Sequence, residues 1–269
     1  MKNNPPFTLV ICTCDSYHDS WPPLFTLFER YWPSVKSVPI VLNTETAEYS
    51  HEGFDIYCPR LYKNHPAPST VPWSKRLRET LVQAVHTDFV LLYLDDFYIR
   101  SPVNTERLEV CLSFMEAHPE VANVCLTPCP QPYSAIRENA WLVKRSKKSP
   151  YLFGLQAGLW RKDRLLHFLR DHESPWAFER WGTIRGRRYP DDFYGTTIEN
   201  GKGAIFDYCP STQGVSKGLW LPKTKELFDS EGIAIDTSVR GLMTMGWKPP
   251  RQRRNWLKTA WSIFRSLCP

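Results

Sequence analysis

The chain has 269 residues, with 34 Lys and Arg against 28 Asp and Glu, for a formal charge of +6. Its 42% hydrophobic and 23% charged content are ordinary for a folded chain, which excludes wholesale disorder and a coiled coil. No apolar run approaches the roughly 20 residues of a membrane-spanning helix. The opening MKNNPPFTLVICTC lacks the basic segment of a secretion signal and reads as the approach to a first strand. Among eight cysteines no two have Cys-x-x-Cys spacing. Most lie in or beside apolar runs, so free thiols are expected, with neither zinc nor disulfides.

In chain order, residues 7–14 (FTLVICTC) form an apolar run of buried-strand length. Residues 21–32, entered through Pro22 and Pro23, read as a helix, and residues 39–43 as a second strand. Ser74 is placed to cap a helix with Leu77, Leu81, Ala84 and Val85 on one face. Residues 89–94 are a third strand. Asn104 or Thr105 opens a helix carrying Leu108, Cys111, Leu112 and Met115 at helical spacing, and residues 121–126 are a fourth strand. Buried strands alternating with helices predict an α/β fold, a doubly wound, mainly parallel sheet flanked by helices. Ligands in such sheets sit beyond the carboxyl ends of the strands, which brings residues 13–16 and 95–97 to one site. The second half is less regular. Residues 127–133 read as a proline-rich loop and 159–170 as a helix. A short helix opens at Pro175, residues 184–189 are a basic loop, and 201–208 are a glycine-led strand. No linker interrupts residues 1–247, which are expected to form one domain, with 248–269 as a basic tail.

The run FVLLYL ends abruptly in Asp95-Asp96. Two adjacent carboxylates cannot both enter an apolar core, because unpaired buried charge is costly. At the mouth of a parallel sheet they can hold a divalent cation with phosphate oxygens, or accept from sugar hydroxyls. A solvated turn is the plainer reading. The motif has an echo, YLDDFY at 93–98 and YPDDFY at 189–194. Only the first copy follows an apolar strand, so the site is assigned to Asp95 and Asp96, and the second copy to a turn.

Taken in order, ICTCDSYHDSW (11–21), WSKRL (73–77), LLYLDDF (91–97), LQAGLW (155–160), PWAFE (175–179) and GVSKGLW (214–220) resemble nucleotide-sugar glycosyltransferases of the GT-A fold. The set is more closely similar to bacterial enzymes that build surface polysaccharides. The family's common Asp-x-Asp is replaced by Asp95-Asp96. The resemblance implies transfer of a sugar from a nucleotide-sugar donor to a hydroxyl of a glycan or lipid-linked acceptor, by an inverting route. It implies donor-binding roles for Thr13, Asp15, Tyr17, Ser74, Arg76, Asp95 and Lys217. Asp96 becomes the ligand of a divalent cation, Mn²⁺ or Mg²⁺, with metal-independent transfer as the alternative. Glu179 is the first candidate for the base and Glu173 the second. The aromatic surroundings of Glu179 favour a raised pKa. Gln156, Trp160 and Trp176 would shape the acceptor pocket. One rival is a nucleotidyltransferase acting on a sugar phosphate, which calls for a glycine-rich loop after strand one that ICTCDSYHD lacks.

The charge is uneven. After Asp236 there is no acid, while Arg240, Lys248, Arg251, Arg253, Arg254, Lys258 and Arg265 follow. Residues 251–267 are expected to form an amphipathic C-terminal helix, with Trp256, Leu257, Ala260, Trp261, Phe264 and Leu267 on one face. Such a helix suits the cytoplasmic face of the inner membrane, making the protein cytoplasmic and peripheral. Packing of the helix on the domain is the alternative. A non-enzymatic basic adaptor for membrane or nucleic acid is the second rival to the enzyme. No nucleic-acid-binding module accompanies the charge, so nucleic acid is not the expected partner.

Overall fold

The computed structural model describes residues 5–137, 139–198, 203–209, 213–244 and 265–267. Among them a nine-stranded sheet has the order β3-β2-β1-β4-β8-β5-β9-β7-β6. Its strands are β1 Thr8–Cys12, β2 Ile40–Asn43, β3 Ile56–Tyr57, β4 Phe89–Leu94, β5 Val121–Pro128, β6 Tyr133–Ala135, β7 Leu142–Arg145, β8 Gly158–Arg161 and β9 Asp192–Thr196. β1 pairs in parallel with β2 and β4, and β5 with β9. β8 lies antiparallel between β4 and β5, and β7 antiparallel between β9 and β6. Only β7 and β8 therefore run against the rest. This is the expected mostly parallel sheet of an α/β fold, flanked by helices.

Every residue of β1 and β2 is buried, as a strand covered on both faces requires. Alternate side chains serve opposite layers. Leu9 and Ile11 pack with helices α1 (Trp21–Tyr31) and α3 (Thr105–Ala117), while Val10 and Cys12 pack with α2 (Trp73–Gln83) and α4 (Lys162–Phe168). Asn104 caps α3, its side chain accepting from the Arg107 N–H at 3.0 Å. Ser74 does not cap α2. Pro72 holds that position, and Ser74 sits inside the first turn, fully buried.

The second half departs from expectation in five places. Residues 159–170 divide into strand β8 and the shorter helix α4. Pairing of Trp160 with Val90 and Asn123 across the sheet is concealed by the helical spacing of Leu165, Leu166 and Leu169. The second Asp-Asp copy leads into a strand, with Asp191 and Asp192 held by Arg164 and Lys144 at its start. Residues 184–189 are mostly helical. The short helix α5 (Pro175–Ala177) continues through a π-helical turn, Phe178–Gly182, into α6 (Thr183–Arg187). Residues 203–209 form no strand, and Tyr208 makes only an isolated bridge to Ile99. The proline-rich loop is shorter than expected, lying between the end of β5 and the start of β6.

A hairpin, β10 (Val215–Ser216) and β11 (Leu219–Trp220), precedes helices α7 (Pro222–Ser230) and α8 (Thr237–Arg240). Among the described residues no helix is long and apolar enough to cross a membrane. Most of the expected C-terminal helix, residues 251–264, lies outside the described residues. Residues 265–267 rest on the domain: Ser266 is fully buried, with its hydroxyl 3.0 Å from His172 Nε2.

Candidate active site

The chain leaves β1 for β2 on one side, while β4 lies on the other. A crevice opens beyond the carboxyl ends of strands at such a reversal. Here it is a cleft of about 660 Å³, lined by Thr13, Tyr17, Arg76, Asp95, Asp96, Gln156, Trp176, Glu179 and Lys217 among others.

The floor is a hydrogen-bonded relay. Trp21 Nε1 donates to Thr13 Oγ1 at 2.8 Å, and Thr13 Oγ1 donates in turn to Asp95 Oδ2. Ser20 Oγ donates to the same oxygen at 3.3 Å. Burial and then the Asp96 charge push Asp95 well above the usual carboxylate range, against the donors from Thr13 and Ser20. Burial also pushes Asp96 up to about 7, although the Val215 N–H donates to it. Burial thus disfavours the charged form of both carboxylates, and at Asp95 the neighbouring Asp96 charge adds to it.

Asp96 also holds the hairpin. Its carbonyl accepts from the Gly214 N–H at 2.5 Å, and a Cβ at Gly214 would collide with the Tyr98 ring. The hairpin turns through Lys217 and Gly218, with φ of +55° and +79°, the left-handed pair that a two-residue hairpin needs. This projects Lys217 over the cleft on a conformation that costs a non-glycine residue energy. Opposite, Ser174 Oγ accepts from the Ala177 N–H at 3.3 Å and caps α5. Trp176, on that capped turn, is 77% exposed at the cleft wall. Glu179 follows one turn later. It accepts from the Leu155 N–H at 2.9 Å through Oε1, and burial raises its pKa above the ordinary value. Gln156 Oε1 accepts from Thr127 Oγ1 at 2.7 Å. The Arg76 guanidinium donates to the Thr13 carbonyl at 3.0 Å and pairs with Glu45 at 3.0 Å, deep in the wall.

Four expected residues lie elsewhere. The Asp15 carboxylate is saturated by the Glu45 N–H at 2.9 Å, the Thr46 N–H at 3.0 Å and the Thr46 hydroxyl at 2.6 Å. Burial acts to raise its pKa, but these donors outweigh it and the net shift is downward. Asp15 thus clips the loop after β1 to the loop after β2. Ser74 is sealed within α2, its N–H donating to the Glu173 carbonyl at 3.1 Å. Trp160 is 1% exposed, packed edge-on against Phe153 at 5.1 Å between ring centres. Glu173 is fully buried in a two-pronged pair with Arg185 at 2.7 Å. A carboxylate locked this way cannot serve as a base toward the cleft. Glu173→Ala is expected to cost about 3–5 kcal/mol of stability, because it strands the Arg185 charge. Denaturant unfolding checks this, and a normally stable variant that has lost activity would contradict it.

Sequence reasoning missed Arg240. Its Nε donates to Asp19 at 2.7 Å across 221 residues of sequence. Its guanidinium lies 4.3 Å from the Tyr17 ring centre and 5.2 Å from that of Trp220. It offsets part of the charge of both Asp95 and Asp96. No local signal marks it, since in sequence it is one more basic residue before the tail. The Lys217-Gly218 turn between Val215-Ser216 and Leu219-Trp220 was a readable hairpin signal.

No family model matches the chain, and no curated protein matches it significantly. Among solved structures it is similar to S. aureus TarS 1–349, at 16% identity over 72% of this chain and 58% of that one, with a TM-score of 0.48. A second S. aureus TarS structure gives 15% identity over 71% of this chain and 36% of that one, with a TM-score of 0.46. The complex of S. aureus TarS 1–349 with UDP gives 15% over 72% and 60%, with a TM-score of 0.46. The match therefore spans less than two thirds of the length of each of these chains.

Proposed function

We propose that the cleft binds a nucleoside-diphosphate sugar and transfers the sugar to a hydroxyl of a glycan or lipid-linked acceptor in surface-polysaccharide synthesis. One observation carries this reading. A pair of buried carboxylates at the end of β4 faces the same cleft as a desolvated glutamate on the opposite wall. Asp95, fixed by Thr13 and Ser20, is set to accept from a ribose or sugar hydroxyl. Glu179 takes the acceptor proton in an inverting displacement, and the burial that raises its pKa makes it a stronger base than an exposed glutamate. Trp176 offers a ring face to the apolar side of a pyranose, beside Gln156. Lys217 and Arg76 place positive charge near the leaving diphosphate.

A divalent cation, Mn²⁺ or Mg²⁺, fits one position. Asp96 is a buried carboxylate whose pKa is raised, a state that a neighbouring cation relieves. Among the described residues no group of three His, Cys, Asp or Glu assembles. Asp96 with the oxygens of the donor and water is the ligand set for a hard cation that keeps few protein ligands. When bound, such an ion neutralises charge on the departing diphosphate.

The basic tail is proposed to keep the protein at the inner face of the membrane, where a lipid-linked acceptor would be presented. Screening nucleoside diphosphates and nucleotide sugars by thermal shift, with and without Mn²⁺, tests the donor assignment. At least one diphosphate is expected to raise the melting temperature by several degrees, about what saturating ligand supplies at 100 times its Kd. No shift with any of them contradicts the reading.

A further inference from the structure

Helices α4 and α6 enclose a second concavity, of about 280 Å³, which shares no lining residue with the cleft. Its lining includes Arg170, Arg185 and Arg188 with His167, and no acid. The carboxylates nearby are already engaged. Glu173 is paired with Arg185, Asp171 with Arg78 and Asp191 with Arg164. Among the described residues Arg170 and Arg188 have no ion-pair partner. Arg170 Nη1 donates only to the carbonyls of His167 and Leu169, and the Nε groups of Arg170 and Arg185 are buried without a partner. Burial and the Arg185 charge push the Arg170 pKa below its ordinary value, and burial followed by Arg170 and Arg164 does the same to His167. Positive charge is thus concentrated in a half-enclosed space and only partly offset, by Glu173 on Arg185, and an anion there would relieve the rest.

The rest of the wall is apolar: Phe168, Ile184, Tyr189 and Leu267. Leu267 belongs to the described end of the basic segment. There Arg185 Nη1 donates to the Ser266 carbonyl at 2.7 Å, and in sequence Lys248, Arg251, Arg253, Arg254 and Lys258 precede it. Guanidinium groups beside an apolar wall match a phosphate that carries an alkyl chain. The basic residues that precede this segment in sequence suit an anionic surface. We propose that this concavity binds the phosphate group of an anionic lipid, so that the face carrying α4 and α6 lies against the membrane.

Calorimetry on the full chain tests this with three probes. These are dihexanoyl phosphatidylglycerol as dissolved monomers, inorganic phosphate, and hexyl glucoside, which has a chain but no charge. The lipid is expected to bind, inorganic phosphate more weakly, and hexyl glucoside not at all. Arg188→Glu should weaken lipid binding by about tenfold or more, the scale of one charge-assisted hydrogen bond. Arg188 is exposed, so the variant should keep its melting temperature and its nucleotide binding in the cleft. Arg170→Gln should weaken lipid binding in the same direction. Equal lipid affinity in the wild type and both variants overturns the site. Inorganic phosphate binding as tightly as the lipid overturns the lipid assignment and leaves a free phosphate as the ligand.

Discussion

Asp96→Asn is expected to remove transfer activity, with kcat/KM falling by about 10³, the upper scale for loss of one preorganised electrostatic group. The free protein should stay folded and gain on the order of 1 kcal/mol of stability near neutral pH. The gain follows from position. Asp96 is 9% exposed, stands beside a second buried carboxylate, and has its pKa pushed up by that burial. An amide of the same shape still accepts from the Val215 N–H and removes a charge that the fold holds at a cost. Loss of activity together with unchanged or higher stability separates a functional carboxylate from a structural one. A folded variant with near-normal turnover would remove Asp96 from the mechanism.

The second large effect belongs to Glu179. Glu179→Gln should retain donor binding and lower turnover by about 10² or more, the usual scale for loss of a general base. Gln keeps an oxygen for the Leu155 N–H, so the turn carrying Trp176 should not move. Burial raises the folded-state pKa of Glu179 above its unfolded value. The folded protein therefore holds this proton over a pH range in which the unfolded chain has released it. Stability contributed by the group is complete below the unfolded pKa and is lost as pH rises through the folded one. Activity moves the other way, because the base works only when deprotonated. The acidic limb of kcat, read with donor and cation bound so that Asp96 is already ionised, should lie above the ordinary glutamate range in the wild type and flatten in Glu179→Gln. An unchanged acidic limb in the variant would assign the base elsewhere.

The first half of the fold was legible because β1, β2, β4 and β5 are buried on both faces. Such strands must read as continuous apolar runs. β8 and β9 were not legible, for a physical reason. Gly158–Arg161 is too short to show a period of its own and runs directly into α4. β9 starts on charge, Asp191 and Asp192 being neutralised by Arg164 and Lys144, both distant in sequence. Local pattern reports burial, whereas these elements are fixed by long-range pairing. The cleft shows the same division. Asp95 and Asp96 stood out because charge follows an apolar strand at the sheet mouth. Glu173 and Glu179 lie six residues apart in one aromatic segment, and sequence alone cannot separate them. The fold does, burying Glu173 against Arg185 and leaving Glu179 on the cleft wall. Asp15 sits in the loop after β1, as a donor-binding residue would, yet its three donors engage it in tying that loop to the loop after β2. Arg240 reaches the site only through the return of the chain after the β10–β11 hairpin.

A donor site in this cleft is tested most directly by calorimetric titration of nucleoside diphosphates and their sugar conjugates, with Mn²⁺ present, into the wild type, Asp96→Asn and Glu179→Gln. One molecule is expected to bind per chain. Binding should weaken by about tenfold or more in Asp96→Asn, the scale of losing one charge-assisted contact, and stay unchanged in Glu179→Gln. Absence of binding by every nucleotide tried, or equal affinity in the wild type and Asp96→Asn, would contradict a donor site in this cleft.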